Sequence, residues 1–238
     1  MNQLFNSILD FFFPKRCLAC KQSGNYLCPE CRAKLKLVDQ YVCPVCEGPQ
    51  RHGRTHPRCQ STLSLDGLLS GFVYANPWRQ AIIKLKYRPF VFDAAEEITG
   101  LLLANEKFTA EINWLLADLS KTNVAIVPVP LHWWRFQKRG YNQAELTARI
   151  LGRQFKLPMI PDLLVRERYT KQQRGLTLEQ RRKNILSAFR LNEKSRRTVP
   201  QTVFLVDDIW TTGATLRTCG AVLKRAGVKK IYALTLAR

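Results

Sequence analysis

Four times between residues 17 and 59 the chain sets two metal-binding side chains three positions apart. The pairs are Cys17 and Cys20, Cys28 and Cys31, Cys43 and Cys46, and His56 and Cys59. Two intervening residues let both side chains of a tight turn reach one ion, at about 2.3 Å for a thiolate. Two such turns complete a tetrahedron, the geometry of Zn²⁺ held without redox chemistry. The eight side chains suffice for two ions. In sequence order they divide into Cys17, Cys20, Cys28 and Cys31, then Cys43, Cys46, His56 and Cys59; an interleaved division satisfies the spacing equally. A closed four-ligand set has no open coordination position, so the expected role is structural. The stretch has few apolar residues, and metal binding would supply the folding energy that its core cannot. His52 lacks the spacing and is a weaker ligand candidate. Cys219, the eighth cysteine, reads as a small buried residue.

Charge narrows the partners. There are 38 Lys and Arg against 18 Asp and Glu, a net charge of +20 and a pI near 10.0. Such a field attracts polyanions: nucleic acid, nucleotides or an anionic lipid surface. No run approaches the roughly 18 apolar residues of a transmembrane helix. Leu4, Ile8, Phe11 and Phe12 recur at helical spacing before Pro14, which predicts a short amphipathic helix. Asp10 lies inside that stretch and no basic residue precedes it, unlike a secretory signal. Without an export signal, closely paired cysteines favour metal over disulfides, and the expected location is cytoplasmic. Peripheral contact of Phe11 to Phe13 with a membrane is the alternative reading.

From about residue 65 the texture changes to alternating strands and helices, so the expected organisation is a small module over 1–64 and an α/β domain over 65–238. Strands are predicted at 71–75, 124–127, 203–206 and 231–236. Helices are predicted at 77–86, across 90–119 with a break at Asn105, at 142–154 and at 213–226, with Gly227 as a cap. The short continuous apolar runs are those of strands buried on both faces. Together they predict a mostly parallel sheet flanked by helices. Residues 166–197 hold eleven Lys and Arg against three Glu. They read as a mobile or peripheral insertion, helical near 178–186.

The segment VFLVDDIWTTGATLRTCG, residues 203–220, combines a buried strand, two adjacent acids and a threonine-rich turn through Gly213. In open α/β sheets ligands sit at the carboxyl ends of strands, beside the following helix. Free amides and the dipole at that helix start favour a phosphate, and Gly213 lets the backbone approach closely. The hydroxyls of Thr211, Thr212 and Thr215 add donors. Ionised Asp207 and Asp208 only accept hydrogen bonds, which suits vicinal ribose hydroxyls. A ribose 5-phosphate satisfies both halves. No Gly-x4-Gly-Lys-Ser/Thr loop is present, which disfavours an ordinary nucleoside triphosphatase.

This run resembles the phosphoribosyl pyrophosphate (PRPP) signature of type I phosphoribosyltransferases. VPVPLHWWRFQKRGYNQAELTARIL at 127–151, IKLKYR at 83–88 and the cysteine pairs extend the likeness to the ComF competence family. There a zinc-finger module precedes a type I phosphoribosyltransferase-like domain. His56 departs from an all-cysteine pattern.

The resemblance implies that Asp207 and Asp208 hold the ribose hydroxyls, directly or through Mg²⁺. Thr211, Thr212, Gly213, Ala214 and Thr215 would wrap the 5-phosphate. Val127, Pro128, Val129, Pro130 and Leu131 would form the pyrophosphate loop. Arg139, and more weakly Lys86, would neutralise pyrophosphate, so Asp207, Asp208 and Arg139 are the expected catalytic residues. The acceptor is not legible. The family association implies natural transformation, with handling of incoming single-stranded DNA and contact with other DNA-uptake proteins. Arg166, Arg168, Lys171, Arg174, Arg181, Arg182 and Lys183 could track a DNA backbone, while Trp133, Trp134 and Phe136 could stack bases. A non-catalytic DNA-binding adaptor with a vestigial or regulatory PRPP site is the competing expectation.

Overall fold

The computed structural model describes residues 14–86, 91–119, 122–167 and 188–238. The amphipathic helix expected before Pro14, the helical stretch expected near 178–186, and Arg168, Lys171, Arg174, Arg181, Arg182 and Lys183 lie outside the described residues.

The apolar runs form a four-stranded parallel sheet: β1 (Gly67–Phe72), β2 (Val124–Pro128), β5 (Thr202–Ile209) and β6 (Lys230–Ala237), in the order β1-β6-β5-β2. β5 and β6 are inner strands, which accounts for their unbroken apolar texture. Side chains alternate across β5. Phe204 and Val206 enter the core on one face, and Val203 and Leu205 the core on the other.

The helices are α1 (Pro29–Ala33), α2 (Trp78–Leu85), α3 (Val91–Leu103), α4 (Glu106–Asp118), α5 (Trp133–Arg139), α6 (Gln143–Phe155) and α7 (Ala214–Arg225); α2, α3, α4 and α6 enter the core on one sheet face and α7 that on the other. Asn105 breaks the 90–119 stretch as expected and caps α4, accepting the Phe108 N–H at 3.2 Å. Its amide also donates to the Gly71 carbonyl at 3.1 Å, which fixes α4 to β1. Asn142 caps α6 in the same way.

Three expectations are corrected. The first strand is Gly67–Phe72 rather than 71–75, because its partner β6 ends at Ala237, opposite Phe72. The third predicted strand does not stop at Val206. β6 is long enough to pair Asp207 with Thr235 and Ile209 with Ala237, so β5 carries both aspartates and the turn is confined to residues 210–213. The basic insertion is anchored at its ends: β3 (Leu164–Arg166) and β4 (Phe189–Leu191) pair antiparallel, and Leu164 and Phe189 join a sheet core.

The cysteine module shares its core with the α/β domain. Cys17, Leu18, Leu27, Val38 and Tyr41 pack in one cluster with Leu69, Phe72 and Trp78. Residues on both sides of β1 are backbone-bonded to the module: Val38 N–H to Gly71 at 3.0 Å and Leu68 N–H to Gly53 at 2.8 Å. Gly53 has φ +62°, and a Cβ there would overlap the Leu68 carbonyl. A left-handed backbone and a clash with main chain together make Gly53→Ala destabilising, by about 2–4 kcal/mol. Equilibrium urea unfolding measures it; a loss under about 0.5 kcal/mol would show that this junction carries no such strain.

Candidate functional site

Two clusters of ligand atoms are built by the turns of the amino-terminal module. The sulfurs of Cys17, Cys20, Cys28 and Cys31 form one; Cys43, Cys46, His56 and Cys59 form the other; within each, all ligand atoms lie within 4.8 Å of one another. The pairing is therefore in sequence order, not interleaved. In the first two-residue turn of each cluster the residue after the second cysteine adopts positive φ: Lys21 at 75° and Glu47 at 58°. Its N–H closes the turn onto the first cysteine's carbonyl, at 2.9 Å in both.

The donor chemistry fits Zn²⁺. His56 directs Nδ1 toward Cys46 Sγ at 3.3 Å, and its Nε2 lies 3.1 Å from the Pro49 carbonyl. Donation from Nε2 fixes the tautomer that leaves Nδ1 as the ligand. A hydrogen bond from the Gly48 backbone lowers the Cys46 thiol, which favours the thiolate a metal needs. Burial opposes ionisation of Cys17, but hydrogen bonds from Cys20, Cys28 and Ala19 outweigh it and bring it to about 6. Both sets are four-ligand sites with the character of structural zinc.

The second constellation lies at the carboxyl edge of the sheet. β2 and β5 are neighbours, and their pairing continues one step past the β2 strand, with the Val129 N–H donating to the Val206 carbonyl at 2.8 Å. The loop after β2 thus lies beside the paired acids. Asn142 holds it from the other side, its amide donating to the Val129 carbonyl at 3.0 Å. Tyr141 is buried and donates its hydroxyl to the Leu85 carbonyl, which brings the end of α2 against the turn between α5 and α6, beside Asn142.

That contact delivers Lys86. Its Nζ lies 2.5 Å from Asp208 Oδ2, so its partner is an aspartate and not an open solvent face. The Asp208 N–H in turn donates to Asp207 Oδ1 at 2.8 Å. Burial, and then the charge of Asp208, push the Asp207 carboxyl well above the usual range, with Lys86 partly opposing. Beyond the acids, Trp210 turns inward, Thr211 and Thr212 are exposed, and Gly213 takes φ +66° as the N-cap of α7. A Cβ on Gly213 would overlap the Trp210 ring. Glycine is therefore required twice over, by dihedral and by contact. The Thr212 hydroxyl accepts from Ala214 N–H at 3.4 Å. Thr215 stands in the first turn of α7, whose amides have no helical carbonyl to bond.

The other predicted residues fall in different settings. Val127, Pro128 and Val129 are buried at the end of β2, where they pair with β5 and the Val129 carbonyl also accepts from Asn142; Pro130 and Leu131 are half-buried. Arg139 closes α5 and its charge acts on Tyr141, whose hydroxyl burial pushes up to about 12. Trp133, Trp134 and Phe136 are 59%, 44% and 46% exposed on α5, with Lys138 Nζ 5.5 Å from the Trp134 ring centre. Arg166, expected among the DNA-tracking cations, stacks over Phe189 at 5.1 Å. Its charge also reaches Asp207 and Cys219. Cys219 is fully buried, and burial and the Asp207 charge push its thiol well up, as suits a core residue.

Sequence reasoning missed Trp210 and Arg217. One signal was available: Arg217 sits near the amino end of a helix, where the dipole disfavours a cation, so its position asks for a specific partner.

Residues 8–60 match the double zinc ribbon domain, and residues 99–238 match the phosphoribosyl transferase domain. The chain is 31% identical to competence protein F of Haemophilus influenzae, over 95% of this chain and 98% of the relative. It is 27% identical to competence protein ComFC of Bacillus subtilis, over 94% and 88%. It is 28% identical to DNA utilization protein YhgH of Escherichia coli K12, over 94% and 97%. Among the described residues no helix is long and apolar enough to cross a membrane.

Elemental analysis of the purified chain is expected to return two zinc ions. Cys31→Ser and His56→Ala should each leave one, because the clusters share no ligand. A single zinc in the unaltered chain would refute the two-site assignment.

Proposed function

The chain belongs to the competence protein F family, a double zinc ribbon joined to a phosphoribosyl transferase domain, and from that membership we propose a cytoplasmic, PRPP-binding protein that handles incoming single-stranded DNA during natural transformation. One observation carries the sugar-phosphate part: paired carboxylates end β5 and lead within a few residues to a glycine turn capping α7. Hydroxyl acceptors and anion-binding amides therefore stand a short sugar apart.

In this reading the 5-phosphate rests on the turn from Thr211 to Thr215, and the ribose hydroxyls reach Asp207 and Asp208. The pyrophosphate lies along Val129, Pro130 and Leu131, with Arg139 supplying positive charge. The carboxylate pair also fits Mg²⁺, which favours hard oxygen donors; when bound, the ion neutralises phosphate charge. Lys86, now on Asp208, would exchange that partner for the ligand. Transfer would break the bond from C1 to pyrophosphate as a nucleophile bonds to C1. The protein's share is positioning and electrostatic stabilisation.

The DNA part is supported by the relatives named for competence and DNA utilization. It is supported physically by three exposed aromatic rings on α5 beside Lys138. Stacked bases on such rings are worth about 1–3 kcal/mol each.

Asp207 sets the pH behaviour. Its pKa is raised in the fold, so the native state holds the proton more tightly than the unfolded chain does. Ionising it costs stability as pH rises from the usual carboxylate range through the raised value. A ligand that needs the carboxylate expels the proton, so affinity for PRPP with Mg²⁺ should climb with pH across that window. Calorimetry in buffers of different ionisation enthalpy should detect the released proton. Asp207→Asn should abolish binding yet raise stability at neutral pH by about 0.5–2 kcal/mol. Unchanged PRPP affinity in Asp207→Asn would reject the ribose assignment.

Trp133→Ala with Trp134→Ala should weaken binding of an oligothymidylate about tenfold or more while leaving PRPP affinity intact. Fluorescence anisotropy measures the first and calorimetry the second; full-strength DNA binding would remove α5 from the interface.

A further inference from the structure

Arg217 joins the second zinc cluster to the phosphate turn. Its Nε donates to the Pro44 carbonyl at 2.7 Å, and Nη2 to the Val45 carbonyl at 3.4 Å and Glu47 Oε1 at 3.1 Å. Pro44 and Val45 are the two residues between Cys43 and Cys46. On its other side Nη1 donates to the Thr212 carbonyl at 3.0 Å, and the guanidinium stacks over Trp210 at 5.0 Å. Trp210 in turn packs against the Cα of Gly213. All three guanidinium nitrogens are engaged, two toward the zinc turn and one toward the phosphate turn.

The direction of control follows from what fixes each end. The carbonyls of Pro44 and Val45 face Arg217 only while the turn between Cys43 and Cys46 keeps its shape. That shape is closed by Glu47 N–H to Cys43 O and Cys43 N–H to Gly48 O, both at 2.9 Å, and a metal, when bound, would further join the two sulfurs. The phosphate turn is held at its ends by main chain, Trp210 N–H to the Ala237 carbonyl and Arg217 N–H to the Gly213 carbonyl, both at 2.8 Å; between them the Thr212 carbonyl accepts from Arg217 and the Thr212 hydroxyl from the Ala214 N–H. A planar, forked cation with fixed donor directions can hold both turns at once, which an ammonium cannot.

We infer that Arg217 is a positioning residue through which the second zinc site sets the conformation of the phosphate turn. The inference rests on the PRPP reading for its functional consequence, but the coupling itself is structural. Metal held by Cys43, Cys46, His56 and Cys59 orders two carbonyls; those carbonyls orient Arg217; Arg217 holds Thr212 and Trp210 in the binding-competent turn. Loss of that metal would therefore weaken sugar-phosphate binding without removing any residue that touches the ligand.

The test is a cycle on the full chain: unaltered, Arg217→Met, Cys46→Ser and the double variant, with zinc content, PRPP–Mg²⁺ calorimetry and fluorine NMR on protein carrying 5-fluorotryptophan. The Trp210 resonance is assigned with Trp210→Phe. Arg217→Met should keep two zinc ions and lose about tenfold in PRPP affinity, and Arg217→Lys should lose as much despite its charge. Cys46→Ser should lose one zinc and a similar affinity. The double variant should be no weaker than either single one, since both cut the same link. The Trp210 signal should move on metal loss when Arg217 is present and stay still in Arg217→Met.

Losses that multiply to about a hundredfold, or a Trp210 signal that responds to metal loss equally without Arg217, would overturn the inference. If Cys46→Ser does not fold, zinc is withdrawn from the folded chain with a chelator and the same signal is followed. If the unaltered chain fails to bind PRPP, the functional reading falls. The fluorine signal then decides the coupling alone, an Arg217-dependent shift upholding it and an Arg217-independent one rejecting it.

Discussion

Two adjacent carboxylates at the end of a buried inner strand are the constraint around which the rest of this domain is arranged. Neighbouring acids repel, and one of them, Asp207, is buried enough that its proton is held tightly. The surrounding elements make that placement tolerable. Lys86 is brought to Asp208 by the end of α2, which Tyr141 fastens to the turn between α5 and α6. The Asp208 amide turns toward Asp207. Arg166 contributes its charge from the β3–β4 ribbon. A strand end that served only to stop a sheet would not need cations from two separate parts of the chain.

The zinc ribbons are the second organising element, and their turns are hydrogen-bonded to the elements that build the site. Each is gripped through its turns by a helix or turn of the α/β domain. On the first, Glu97 of α3 accepts the Leu27 N–H at 2.7 Å, while Lys84 donates to the Ala19 carbonyl at 3.1 Å. Lys84 lies two residues before Lys86, the partner of Asp208. On the second, Arg217 grips Pro44 and Val45. A metal-ordered turn offers outward carbonyls in fixed directions, and the domain uses both sets as anchors. The 1–64 and 65–238 division is therefore a compositional boundary crossed by shared core and by hydrogen bonds.

Much of this was legible because it is local. The two-residue ligand spacing, the cap at Asn105, the apolar runs of β2, β5 and β6, and the acid-threonine-glycine turn are each written within a few consecutive residues. What escaped reading depends on partners distant in sequence. The pairing of Lys86 with Asp208 spans the domain. The extension of β5 past Val206 depends on the length of β6, since isolated strand propensity at two aspartates argues for a stop. The β3–β4 ribbon joins three-residue strands separated by a long basic segment, too short for any period to register. The ligand pairing was open by spacing alone and was decided by how the turns fold together. Arg217 bonds to residues more than 160 positions away, so only its unfavourable place near a helix amino terminus hinted at a role.

The strongly positive chain and its acidic pocket are reconciled by geometry. A net charge of +20 draws any polyanion toward the surface, yet the paired carboxylates would repel a bare phosphate chain at the centre of the sheet edge. In the proposed function a single strand would therefore find its footing on the rings of α5 and on cations away from the acids, and a sugar phosphate would approach the acids with its hydroxyls and meet the amides with its phosphate. The loop from Val129 to His132 connects the two places: its start is bonded to β5 and Asn142, and its end caps α5, where the His132 ring accepts the Trp134 N–H at 3.2 Å. In the proposed function this short covalent span is the route by which occupation of the pocket and engagement of a strand would sense each other, since moving either end displaces the other.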